Sequence, residues 1–182
     1  MFALTPRLTL RPGWPEDAPE LARAIGHEAV VTKLARAPWP YFEDDARAFL
    51  SRTRDGQEPE FLVFDRTAPE PRLVGGIGID LDAEDGPELG YWFARHAWGR
   101  GYATEAGRAV VAIARDALRL KRLHSGHFLD NPASGRVLRK LGFRAMGRVV
   151  GRFCRARGAE VPCALFELDL DEVRTGPMPL AA

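Results

Sequence analysis

The stretch from Gly90 to Ala106 limits what this chain can fold into more than any other. A strand-like run, Leu89 to Phe93, leads into Trp98-Gly99-Arg100-Gly101-Tyr102-Ala103-Thr104. Ala103, Ala106, Val110, Ile113 and Ala117 then recur at spacings of three and four. That spacing predicts a helix from about Ala103 to Leu118 with one buried face. Glycines permit the positive φ of a tight turn and let a ligand approach the main chain. The first N–H groups of a helix have no intrahelical partner. Together with the helix dipole they form an anion site, so a phosphate-sized ligand is expected at Gly99–Thr104. A Walker loop needs Lys-Ser/Thr after its glycines, whereas Gly101 is followed by Tyr102-Ala103. The dinucleotide fingerprint lacks its third glycine. A plain turn joining strand to helix is the alternative reading.

The other elements alternate along the chain. Arg7–Arg11 reads as a strand ended by Pro12-Gly13. Pro15 opens a helix to about Gly26, with Glu16 and Asp17 in its first turn. A second helix is expected over Phe42–Arg54, with Ala46, Phe49 and Leu50 inward. Strands follow at Phe61–Phe64, Leu73–Leu81 (with Gly75-Gly76 inside) and Leu89–Phe93, then another at Arg122–Leu129. Asn131-Pro132 supplies an N-cap and N1 proline for a helix to Leu141, and Gly142 stands at its C′ position. Arg144–Arg155 and Val161–Leu170 form a hairpin around Arg157-Gly158, with Ala164, Phe166, Leu168 and Leu170 on one face. Interspersed strands and helices predict an α/β (α+β) sheet protein. The 182 residues, 46% hydrophobic and 28% charged, fit one domain.

Several partner classes are disfavoured. A net charge of +1 argues against nucleic acid. No apolar run reaches the ~18 residues of a membrane span. Met1–Pro6 lacks the basic and apolar regions of a signal peptide, so a cytoplasmic protein is expected. His124 and His127 lie three apart on one strand and face opposite ways, and His27 and His96 have no ligand-spaced neighbours, so no metal is expected. A two-residue turn at Gly158-Ala159 would set Cys154 opposite Cys163, but it would also put Pro162 at a position needing an N–H. A disulfide is therefore not expected.

The chain resembles the GNAT acetyltransferase family, in particular the subgroup around bacterial ribosomal-protein N-terminal alanine acetyltransferases. The resemblance spans nearly the whole chain. It rests on Thr5-Pro6-Arg7-Leu8-Thr9-Leu10-Arg11, Val74-Gly75-Gly76-Ile77-Gly78, Glu88-Leu89-Gly90-Tyr91-Trp92-Phe93, Trp98–Ala106, Asn131-Pro132-Ala133-Ser134-Gly135 and Leu141-Gly142-Phe143. The family's Arg/Gln-x-x-Gly-x-Gly/Ala signature is met at Gly99 and Gly101, with His96 in the first place.

The resemblance implies a mixed, mostly antiparallel sheet of about seven strands with a splayed middle pair and about four helices. It implies one domain over 1–175 and a frayed tail over 176–182. It implies transfer of the acetyl group of acetyl-CoA, as co-substrate and without a metal, to a primary amine of a protein N-terminus or small molecule. CoA pyrophosphate is expected on Trp98, Gly99, Arg100, Gly101, Tyr102, Ala103 and Thr104, and the pantetheine arm beside Tyr91-Trp92-Phe93. Asn131 is expected on the pantetheine, Ser134 as proton donor to the leaving sulfur, and Glu88 as general base, with Asp80 and Glu84 as weaker candidates. A backbone N–H of Leu89–Phe93 is expected to hold the oxyanion. The acceptor wall is expected between Pro15 and Arg54, in a monomer or homodimer, and Trp39-Pro40-Tyr41-Phe42 reads either as its apolar side or as a packed interhelical loop. The alternatives are an acyl-CoA-binding regulatory module without turnover, or transfer from a longer acyl-CoA.

Overall fold

The computed structural model describes residues 1–52, 59–67 and 69–171. Its strands are β1 (Ala3–Leu4), β2 (Leu8–Arg11), β3 (Glu60–Asp65), β4 (Arg72–Asp80), β5 (Glu88–Phe93), β6 (Arg122–Phe128), β7 (Arg144–Cys154) and β8 (Ala159–Asp169). The helices are α1 (Ala18–Ile25), α2 (Glu28–Val31), α3 (Glu43–Leu50), α4 (Tyr102–Asp116) and α5 (Pro132–Lys140). The strands form one sheet in the order β1-β2-β3-β4-β5-β6-β8-β7. All neighbours are antiparallel except β5 and β6.

The two faces of the sheet bury separate cores. One packs Val110, Ala106, Leu123, Leu138 and Phe166 between the sheet and α4 and α5. The other packs Ala18, Leu21, Val31, Ala46 and Leu62 beneath α1–α3. β4 and β5 meet closely because Gly75 lies opposite Phe93 and Gly76 opposite Trp92. A Cβ at Gly75 would come 2.7 Å from the Phe93 ring, and one at Gly76 would come 2.5 Å from the Trp92 indole nitrogen. The two glycines therefore make room for two aromatics, one on each face of the sheet.

The mixed sheet with a parted middle pair is the architecture expected from the family resemblance, with three refinements. β1 and the short α2 were not legible from periodicity, because two and four residues are too few to display one. The helix opened by Pro15 begins as a 3-10 turn over Pro15–Asp17, and α3 ends at Leu50. The buried stripe of α4 ends at Ala114, and Ala117 is its exposed C-cap.

The β7–β8 hairpin turns through residues 155–158, pairing Cys154 with Ala159 and Val150 with Cys163. Both cysteines are buried and free, and burial pushes the Cys163 thiol up. The domain limit at 175 and the tail over 176–182 lie outside the described residues. Among the described residues, no helix is long and apolar enough to cross a membrane.

Candidate functional site

The parallel pair β5–β6 meets in register only at Glu88↔His124 and then parts. Ala94 donates to the Val74 carbonyl at 2.9 Å, so alternate residues of β5 bond to β4 and the odd-numbered ones turn toward β6. At the near end of the gap Leu89 O accepts from the Ser125 hydroxyl at 2.8 Å. At the far end Phe93 O accepts from the Trp98 indole at 2.7 Å. Between these two caps the main-chain groups of Tyr91 and the N–H of Phe93 point into the gap. An extended ligand could pair there as a strand does.

The glycine loop closes one end of this gap. Gly99 and Gly101 have φ of +76° and +79°, conformations in which a Cβ is strained. Gly101 caps α4 without a side-chain bond, and the first α-helical hydrogen bond runs from Glu105 N to Gly101 O. The N–H groups of Tyr102, Ala103 and Thr104 are therefore left for a ligand. Among the described residues, no group of His, Cys, Asp and Glu side chains could hold a metal ion.

α5 forms the opposite wall. Asn131 caps it, with its side-chain oxygen accepting from Ser134 N at 3.4 Å. The Ser134 hydroxyl lies 2.8 Å from the Tyr91 hydroxyl. Burial pushes the Tyr91 phenol up to about 12, against the pull of the Ser134 hydrogen bond, so it remains a neutral O–H donor.

The gap is part of a cleft of about 1280 Å³ that reaches both faces of the sheet. On the α1–α3 face stand Glu88, Gly90 and Trp92. Glu88 is gripped by Arg152 of β7 through both carboxylate oxygens. Burial works against the Arg152 charge, but Glu88 outweighs it and raises the guanidinium above its ordinary value. Leu34, Ala37, Pro38, Tyr41 and Phe49 line the same half.

Glu88, Ser134, Asn131, Tyr91, Trp92 and Phe93 line this cleft, as do the loop residues Trp98 to Thr104 apart from Arg100. The Arg100 carbonyl instead accepts from Arg7 Nη1 at 3.0 Å. Asp80 lies in the cleft beside Glu88 in register, paired with Arg36 at 2.6 Å, whereas Glu84 lies outside it. Of the aromatic cluster, Tyr41 lines the cleft, while Trp39 and Phe42 are exposed and line no part of it. Asp45 accepts from the Phe42 N–H and Asp44 pairs with Arg47, both in the first turn of α3.

Spacing could not reveal the Glu88–Arg152 pair, because 64 residues separate the partners. Nor could it reveal Asp130. This carboxylate takes Lys33 and Arg157, each at 2.8 Å, and so joins the α2–α3 loop and the hairpin turn to the start of α5.

A family profile described as "Acetyltransferase (GNAT) domain" matches residues 7–144. The chain belongs to the GNAT acetyltransferase family. It is 28% identical over 170 residues to the uncharacterised N-acetyltransferase p20 of Bacillus licheniformis, covering 90% of this chain and 93% of that one. In fold it is similar to a GNAT acetyltransferase from Bacillus anthracis, with a TM-score of 0.79 and 22% identity over 94% of this chain and 99% of that one. It is likewise similar to RimL, a ribosomal L7/L12 alpha-N-protein acetyltransferase solved with coenzyme A, with a TM-score of 0.77 and 17% identity over 94% and 99%. At such identities these two structures bear on the GNAT fold alone.

Proposed function

We propose that this GNAT protein moves the acetyl group of acetyl-CoA directly to a primary amine, of a protein N-terminus or a small molecule. The observation that carries the reading is the juxtaposition of two sets of free main-chain groups. The edge of β5 at Tyr91–Phe93 suits the amides of pantetheine. The N–H groups at the start of α4 suit a pyrophosphate. The resemblance to ribosomal-protein N-terminal acetyltransferases makes a protein α-amine the first acceptor to try.

Each side chain then has a role. Asn131 and the β5 edge hold the pantetheine arm, and residues Trp98–Thr104 hold the phosphates. An amine is largely protonated at pH 7 and must lose a proton to attack. Glu88, fixed by Arg152 on the acceptor face, takes that proton directly or through a water. As nitrogen bonds to the thioester carbon, the N–H of Tyr91 or Phe93 holds the developing oxyanion. The carbon–sulfur bond then breaks, and Ser134, backed by the neutral Tyr91 phenol, protonates the departing sulfur.

The test is release of free CoA thiol from acetyl-CoA, with calorimetry of acetyl-CoA binding beside it. The acceptor panel holds peptides with N-terminal Ala or Ser, free amino acids and spermidine. Amine-dependent thiol release supports the proposal. Binding without release under every amine would mark a regulatory module. Slow release that quickens with a longer acyl-CoA would change the donor. No binding by folded protein would sink the proposal.

A further inference from the structure

Glu105 stands one turn into α4, where a carboxylate would repel the phosphates proposed for the loop, and its surroundings give it another use. Its Oε1 accepts from the Thr5 hydroxyl at 2.6 Å and from Arg7 N at 2.9 Å. Its Oε2 accepts from Arg7 Nε at 2.7 Å and lies 2.6 Å from Arg7 Nη2. All these donors come from the segment before β2, and neither Thr5 nor Arg7 lines the cleft. Burial pushes the Glu105 carboxyl up, but Thr5 and Arg7 outweigh it and hold the group below its ordinary value. The carboxylate is thereby engaged by Thr5 and Arg7 through both oxygens.

Arg7 has one nitrogen left, Nη1, and gives it to the carbonyl of Arg100, between the two positive-φ glycines. A planar trans peptide points its C=O and its N–H in opposite directions. Holding the Arg100 carbonyl on Arg7 therefore turns the Gly101 N–H toward the opposite side, where Gly101 lines the cleft. The Arg7 guanidinium also lies 4.7 Å from the centre of the Tyr102 ring, and the Tyr102 hydroxyl donates to buried Asp65 at 2.6 Å. The first residue of α4 is thus held at both ends.

We propose that Arg7, oriented by Glu105, is a positioning residue for phosphate binding: it sets the Gly101 peptide so that its N–H faces the ligand. Neither side chain touches the ligand. The proposal rests on the reading of the donor as a CoA thioester, and pantetheine, which carries no phosphate, separates the two.

The experiment titrates CoA and pantetheine into the wild type, Arg7→Lys and Glu105→Gln, with thermal midpoints as a folding control. Arg7→Lys keeps the charge beside Glu105 but has a single nitrogen, so it loses the Arg100 contact. CoA affinity should fall about tenfold in Arg7→Lys, the scale of one aligned hydrogen bond, with pantetheine affinity unchanged. Glu105→Gln should act in the same direction. Equal losses for both ligands would mean a merely structural role, and unchanged CoA affinity in Arg7→Lys would overturn the proposal outright. Should Glu105→Gln fail to fold, Arg7→Lys, whose side chain is 41% exposed, still decides. A wild type that binds CoA no better than pantetheine would overturn the donor reading itself, and this proposal with it.

Discussion

The two halves of the cleft are built from different material. On the α4–α5 side, recognition groups belong largely to the main chain: the open edge of β5, the positive-φ loop and the start of α4. On the α1–α3 side they are side chains from distant segments, matched in charged pairs: Glu88 with Arg152, Asp80 with Arg36, Asp130 with Lys33. Main-chain geometry tolerates few sequences, because only glycine holds φ near +76° and +79° without strain. Paired side chains can be exchanged together without moving the backbone. The difference suits a site whose donor is common to a family and whose acceptor is not.

Substitutions can break that contrast, and the largest effect is expected on the main-chain side. Gly101→Glu adds strain and a negative charge at the loop, and acetyl-CoA affinity should fall by about 100-fold or more by calorimetry. A variant that binds normally would remove the loop from the donor site. Next comes Glu88→Gln, which should lower kcat by about 10²–10⁴-fold if Glu88 is the base, with acetyl-CoA affinity unchanged. A kcat within twofold of the wild type would show that another group takes the proton.

Ser134→Ala should lower kcat with little change in acetyl-CoA affinity, by a smaller factor because the Tyr91 phenol, 2.8 Å from the Ser134 hydroxyl, remains as a second proton donor. An unchanged kcat would dismiss Ser134 as donor.

The smallest effect concerns stability. Burial pushes the Asp65 carboxyl up, but Tyr102, Thr67 and Arg100 outweigh it and hold it below its ordinary 3.8. A carboxyl with a depressed folded value stabilises fully above the unfolded one and loses that contribution as pH falls through its folded value. The urea midpoint should therefore drop on acidification below about pH 4, and less steeply in Asp65→Asn. Parallel slopes for the two proteins would contradict this.

Local chemistry announced the α4–α5 half of the cleft. Asn131-Pro132 and Gly142 mark the ends of α5 because caps satisfy orphaned N–H and carbonyl groups within a few residues. The glycines of the loop announced α4 in the same way. Alternation placed Phe166 and Leu168 on one buried face of β8, with buried Leu170 just past its end. The hairpin turn was legible at Arg157-Gly158, but its register was not, since four turn residues rather than two separate the strands. That the Arg100 carbonyl is held by Arg7, 93 positions earlier, was not legible from the loop sequence.

The sequence by itself determined where the chain turns, which residues cap and which faces are apolar, because those depend on neighbours a few positions away. Tertiary structure alone decided that β5 and β6 part after one registered pair. It also decided that Arg152 reaches Glu88 across 64 residues, and that Arg7 and Glu105 meet across 98. Such contacts are chosen by the packing of whole elements against the cores, and no local spacing encodes which distant side chain that packing will bring near.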